Sequence, residues 1–169
     1  MKKRVMILLT VVLISTSITS FAMDIDAKGE IDVGQNVEPS SMYEVEPNDT
    51  PEQAERNNPI QANTQWRKGY LNSSYGDTVD YYYYYHSWDY DNIIVTVFDV
   101  ARAQPVNLDV YYRDNNGNMN WVDGSRNIGF QESLTMTNRR KGDYFIKITL
   151  PRGVTMASYS VMVDTNRRN

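Results

Sequence analysis

Gly142-Asp143-Tyr144-Phe145-Ile146-Lys147-Ile148 is the stretch that decides the fold. Successive side chains of an extended strand point to opposite faces. Tyr144, Ile146 and Ile148 therefore share one face, and Asp143, Phe145 and Lys147 the other. Tyr159, Val161 and Val163 repeat the pattern downstream, and Ile93, Val95, Val97 and then Leu108, Val110, Tyr112 show it upstream. Between the runs lie turn-forming clusters: Ser73-Ser74-Tyr75-Gly76, Asp114-Asn115-Asn116-Gly117, Asp123-Gly124 and Lys141-Gly142-Asp143. The spacing predicts strands over 65–71, 79–87, 92–99, 106–113, 118–123, 131–137, 142–150 and 157–164. About eight short strands with no long helix imply an all-β fold, an antiparallel β-sandwich. The 13 tyrosines fit that reading, since aromatic residues favour strands.

Ahead of the strands the composition changes. Lys2, Lys3 and Arg4, the apolar run from Val5 to Ile14, and Ser20-Phe21-Ala22 have the order of a secretory signal peptide over residues 1–22. The apolar run is too short to span a membrane. Residues 23–43 are rich in Asp, Glu, Gly, Asn, Pro and Ser and read as a flexible acidic linker. The sandwich then occupies 44–165, with 166–169 as a tail. Asp49-Thr50-Pro51-Glu52-Gln53-Ala54-Glu55 predicts one or two helical turns, with a proline at the first helical position and early acids.

Charge and cysteine content narrow the function. Without Lys2, Lys3 and Arg4, the 17 basic residues fall to 14 against 21 acidic ones, a net charge of −7. That balance argues against nucleic acid and anionic membrane as partners and suits cation binding. No cysteine is present, so neither a disulfide framework nor a lipid-anchored cysteine exists. A secreted domain of this kind is held by its core, by a metal, or by both.

Two acidic segments suggest the metal. Glu44-Val45-Glu46-Pro47-Asn48-Asp49-Thr50 offers several hard oxygen donors in a run that Pro47 stiffens. In an extended run Glu44, Glu46 and Asn48 point the same way. Asp77-Thr78-Val79-Asp80 adds two carboxylates where a loop meets a strand. Calcium takes six to eight oxygens in flexible geometry. The two segments together read as a calcium clip tying the linker to the sandwich.

These residues also carry a resemblance. Glu44-x-Glu46-Pro47-Asn48-Asp49-Thr50, Gly69-x-Leu71, Asp77-x-x-Asp80-Tyr81-Tyr82-x-Tyr84, Gly142-Asp143-Tyr144-Phe145-Ile146-x-Ile148 and Tyr159-x-Val161-x-Val163 resemble, in order and spacing, the bacterial pre-peptidase C-terminal domain over about residues 43–164. The resemblance implies a jelly-roll-like sandwich, a non-catalytic appendage of secreted proteases that includes the collagen-binding modules of clostridial collagenases. It implies Ca2+ bound between linker and sandwich by Glu44, Glu46, Asn48, Asp49, Asp77 and Asp80, with a backbone carbonyl near Ser73 or Ser74 as a further ligand. Two departures stand out. No protease domain accompanies the module in this chain, and Thr149 and Pro151 occupy places where the collagen-binding versions present tyrosines.

The expected function is thus a secreted, non-enzymatic module binding an extracellular protein or a cell-envelope component. A carbohydrate-binding module that recognises polysaccharide through Trp88 or Trp121, or a regulator docking onto a separately encoded protease, are the alternatives. Strand parity turns Tyr82, Tyr84 and His86 inward and Tyr81, Tyr83 and Tyr85 outward, which makes the outward three candidate partner contacts. His86-Ser87-Trp88-Asp89 holds the letters of a catalytic triad, but neighbours on a strand end diverge and cannot align as one. Asp24-x-Asp26-x-Lys28-Gly29 mimics an EF-hand start, yet Lys28 and Gln35 stand where ligands are needed.

Overall fold

The computed structural model describes residues 40–166. The expected signal peptide, most of the expected linker and the EF-hand-like stretch lie outside the described residues. Nine strands and one helix follow in the order β1 (Ser40–Tyr43), α1 (Pro51–Asn57), β2 (Gln65–Asn72), β3 (Val79–His86), β4 (Asp91–Phe98), β5 (Val106–Arg113), β6 (Met119–Ile128), β7 (Glu132–Arg139), β8 (Gly142–Thr149) and β9 (Met156–Asn166). A five-stranded sheet in the order β1-β2-β9-β4-β7 packs on a four-stranded sheet ordered β3-β8-β5-β6. Every pairing is antiparallel except β1 on β2.

All eight expected strands are present, so the molecule is a β-sandwich. The inward residues form one core: Tyr82, Ile93, Val95, Val97, Leu108, Val110, Ile146, Ile148, Tyr159, Val161 and Val163 are all buried. The period-two pattern carries this result, because a strand buried on one face must place its apolar residues on alternate positions.

Three particulars differ from the sequence reading. Residues 40–43, read as the end of the linker, form β1, whose register pairs Tyr43 with Lys68. Four polar-flanked residues carry no strand pattern of their own, and the backbone of β2 supplies it. Second, Asp123-Gly124 is not a turn. β6 runs through it, pairing Asp109 with Gly124, next to a register shift at Val110/Tyr111. A Cβ on Gly124 would sit 2.8 Å from the Leu108 carbonyl oxygen, so the glycine marks a close approach of two backbones. Third, Phe145 faces outward yet is fully buried. The Arg113 guanidinium lies 5.0 Å above its ring, and Arg113 is tied to Glu55 of α1 and to Asp143.

Helix α1 forms where the sequence places it. Thr50 caps it, accepting from the Gln53 N–H while the Gln53 side chain accepts from the Thr50 N–H, and Pro51 opens the first turn. The helix lies against β3, so the segment carrying Glu44 to Asp49 is pinned beside the mouth of that strand.

Candidate metal centre

The run from Glu44 to Asp49 is not a strand, contrary to the extended reading, and its Glu46–Pro47 peptide bond is cis. Its backbone is held by other partners. The buried Asn58 side chain brackets Val45, accepting from its N–H at 2.8 Å and donating to its carbonyl at 2.9 Å. The Glu44 N–H donates to the Lys68 carbonyl, and the Asn48 carbonyl accepts from the Tyr81 N–H, both at 2.9 Å. The segment is thus stitched to β2 on one side and β3 on the other.

That stitching brings acids from both sides together. Glu44, Glu46 and Asp80 each offer a carboxylate oxygen within 4.8 Å of the others'. Asn48, fully buried, donates through Nδ2 to Glu44 Oε2 at 3.2 Å, and its backbone N–H donates to Glu46 Oε2 at 3.1 Å. Asp77 stands where β3 begins and adds its field to those of Glu46 and Asp80. Asp49 is exposed and bears electrostatically on Glu46 and Asp77. Ser73, named as a possible carbonyl ligand, opens a 3-10 turn in which its carbonyl accepts from the Gly76 N–H.

The electrostatics are those of crowded acids without a counter-charge. Burial, and then the Glu44 carboxylate, push Asp80 up to about 9. Burial and the same neighbour push both Glu46 and Asp77 up to about 6. Three buried oxygens, Asn48 Oδ1, Asp77 Oδ1 and Asp80 Oδ1, have no hydrogen-bond partner. Buried oxygens of native proteins are normally satisfied. A cation answers both features, because it accepts lone pairs and cancels repulsion. With carboxylate and amide oxygens as donors, the cluster fits a hard divalent ion of the calcium class.

The sequence reading missed the tyrosines that support this centre. Tyr82 Oη donates to Glu44 Oε2 at 2.8 Å and lies 2.9 Å from Tyr159 Oη, which in turn donates to Asp80 Oδ2. The Tyr70 N–H donates to Glu44 Oε1 at 2.6 Å. Parity marks Tyr82 and Tyr159 only as core. The available signal was Gly69, since a Cβ there would fall 2.3 Å from the Tyr159 ring and 2.5 Å from the Tyr82 hydroxyl. A glycine in mid-strand flags something packed against its backbone.

The outward tyrosines do not form a uniform platform. Tyr83 is half-buried, donates to Asp143 Oδ1 at 2.9 Å and packs on Phe145. Tyr81 is half-buried with Lys147 over its ring, and Tyr85 is exposed. Trp88 and Trp121 are both exposed, and Trp121 donates through Nε1 to Asp109. His86 is fully buried, with Nδ1 3.1 Å from the Tyr84 hydroxyl, whereas Ser87 and Asp89 are exposed outside.

No family model matches the sequence, and no curated protein matches it. Among solved structures, the pre-peptidase C-terminal domain of collagenase from Bacillus anthracis superposes with a TM-score of 0.51 at 20% identity, covering 63% of this chain and 93% of that one. The fold is that of a pre-peptidase C-terminal domain. PliG of Aeromonas hydrophila, a periplasmic inhibitor of g-type lysozyme, matches with a TM-score of 0.43 at 11% identity over 75% of this chain and 100% of that one. That second likeness is too slight to bear on function. In the pre-peptidase C-terminal fold seen here, the acidic cluster sits where the leading segment meets the sandwich.

Proposed function

We propose that this chain is an extracellular, non-catalytic pre-peptidase C-terminal module, clipped together by Ca2+ and serving to bind a protein or cell-envelope partner. One observation carries the metal reading. Acids from the leading segment and from β3 converge within 4.8 Å while three buried oxygens beside them lack any partner. Glu44, Glu46, Asn48, Asp77 and Asp80 are the proposed ligands, with Asp49 at the exposed rim. The ion supplies positive charge and open coordination positions. The chain supplies the geometry: Tyr82 and Tyr159 orient Glu44 and Asp80, and Gly69 leaves them room.

The burial of His86 away from Ser87 and Asp89 supports the non-catalytic reading. The signal-like residues 1–22 support an extracellular location.

A melting curve in excess calcium and then in excess chelator tests the proposal. If free calcium stands about 100-fold above its dissociation constant, binding contributes roughly 2.7 kcal/mol of stability, a shift of several degrees for a domain of this size. Coincident curves in calcium and in chelator overturn the metal reading.

A further inference from the structure

A second site lies apart from the acidic cluster and shares no residue with it. β6 borders the four-stranded sheet and β7 the five-stranded one, and a recess of about 310 Å3 opens beside them. Tyr112 and Tyr144 supply aromatic walls, Asn120 and Asn138 carboxamides, and Arg139 and Arg140 guanidinium groups. No acidic residue lines it.

The two arginines are unusual within this acidic chain. Arg113 and Arg126 are each in ion pairs, but Arg139 and Arg140 are in none among the described residues. Arg139 Nε is buried and has no acceptor. Asp91 stands opposite Arg139 in the register of β4 and β7 yet forms no ion pair with it. Burial pushes the Tyr144 hydroxyl up to about 12, and both guanidinium charges act on it in the opposite direction. Two cations thus converge on one recess without a partner.

The turn that carries them is fixed in place. The Arg139 carbonyl accepts from the Tyr90 N–H at 2.7 Å, the Arg140 carbonyl from Tyr144 Oη at 2.9 Å, and the Lys141 N–H donates to Asp89 Oδ1 at 2.8 Å. The wall is fixed too. Tyr112 packs on Tyr144 with ring centroids 5.2 Å apart, against Gly142, whose φ of +142° suits glycine and where a Cβ would come 2.8 Å from the Tyr112 ring. Backbone and rings are held, while the guanidinium groups and the Asn138 carboxamide make no hydrogen bond among the described residues.

Guanidinium forks match carboxylates in charge and in planar geometry. Carboxamides both donate and accept, as hydroxyl groups do. Aromatic walls receive apolar ring faces, and a recess of this size lies at the small end of ligand pockets. We infer that the recess between β6 and β7 binds a uronate unit of an acidic polysaccharide, its carboxylate on Arg139 and Arg140 and its hydroxyls on the asparagines. This gives a ligand to the binding role proposed above and rests on that reading, but not on the cation.

Titration with a short oligogalacturonate, its methyl ester and an oligoglutamate peptide tests the inference, at about 0.15 M salt where long-range attraction is screened. The acid form should bind saturably and the ester should not. The double variant R139Q/R140Q should bind the acid form about tenfold or more weakly, the loss of charged hydrogen bonds, with its melting temperature unchanged. Should the double variant fold poorly, R140Q, altered at an exposed residue, should show the same loss in smaller degree. Absence of saturable binding, equal binding of the ester or of oligoglutamate, or indifference to both variants overturns the inference. A calcium-dependent melt accompanied by no uronate binding would overturn this inference alone, leaving the cation centre intact.

Discussion

Asp80 concentrates the chemistry of the proposed metal centre in one side chain. It is fully buried, one of its oxygens accepts from Tyr159, and the other has no partner. Asp80→Asn should therefore separate two effects. It removes a buried carboxyl that must take up a proton or carry a charge on folding, so the chelator-treated variant should melt no lower than the chelator-treated parent. It also removes a ligand, so the calcium-induced rise in melting temperature should vanish; a rise equal to the parent's would remove Asp80 from the centre. The pH dependence follows from the same crowding. In Glu46, Asp77 and Asp80 the native state keeps the proton to a higher pH than the unfolded chain does. Stability from this source is complete below about pH 4, where both states are protonated. It falls as pH rises, through about 6 for Glu46 and Asp77 and through about 9 for Asp80. In chelator, the melting temperature should decline across that window. Because a cation binds only the ionised carboxylates, the calcium-induced rise should grow over the same range. Melts at a series of pH values with and without calcium check both signs; a calcium effect largest at acid pH contradicts them.

At the scale of elements, α1 is the part that positions the clip. Its capping box fixes Thr50 one residue after Asp49, and Asn57 Nδ2 donates to the Pro47 carbonyl at 2.8 Å. Thr50→Ala should cost about 1 kcal/mol of stability, the usual worth of such a cap. Because the cap lies beside the ligand segment, the variant should also weaken calcium binding, measured by calorimetric titration; an unaltered affinity would show that Asn58 and the link to Tyr81 suffice. This helix was legible in the residues themselves, since a proline at the first helical position and early acids mark a helix start. The bend of the preceding segment was not. Most of its backbone partners, Asn57, Asn58, Lys68 and Tyr81, lie ten or more positions further on, and no local pattern announces them.

For the molecule as a whole, what was legible is what repeats. Alternation located eight strands because each must bury one face, and the acids of the clip stood out because they cluster in sequence. The order of strands within the sheets was not legible, because β9 pairs with β2 and β4 across most of the chain. Nor was the paired hydroxyl contact of Tyr82 and Tyr159, separated by 77 positions, since parity describes a face and not the atom at its tip. The same limit hid the recess. Arg139-Arg140 reads locally as a solvated turn, and only the meeting of two sheets places rings and carboxamides around it.

The parallel seating of β1 has a colloidal consequence. Eight-residue β2 would otherwise display its outer row of amides and carbonyls to solvent, and such a row invites a second chain to lie down on it. A protein beginning at Glu44 should accordingly self-associate, its apparent mass by light scattering climbing with concentration while the full-length form stays constant; equal masses at every concentration would speak against a guarding role. Because Glu44 follows the last residue of β1 directly, losing the ion would loosen the guard, and oligomers should then gather fastest in calcium-poor surroundings.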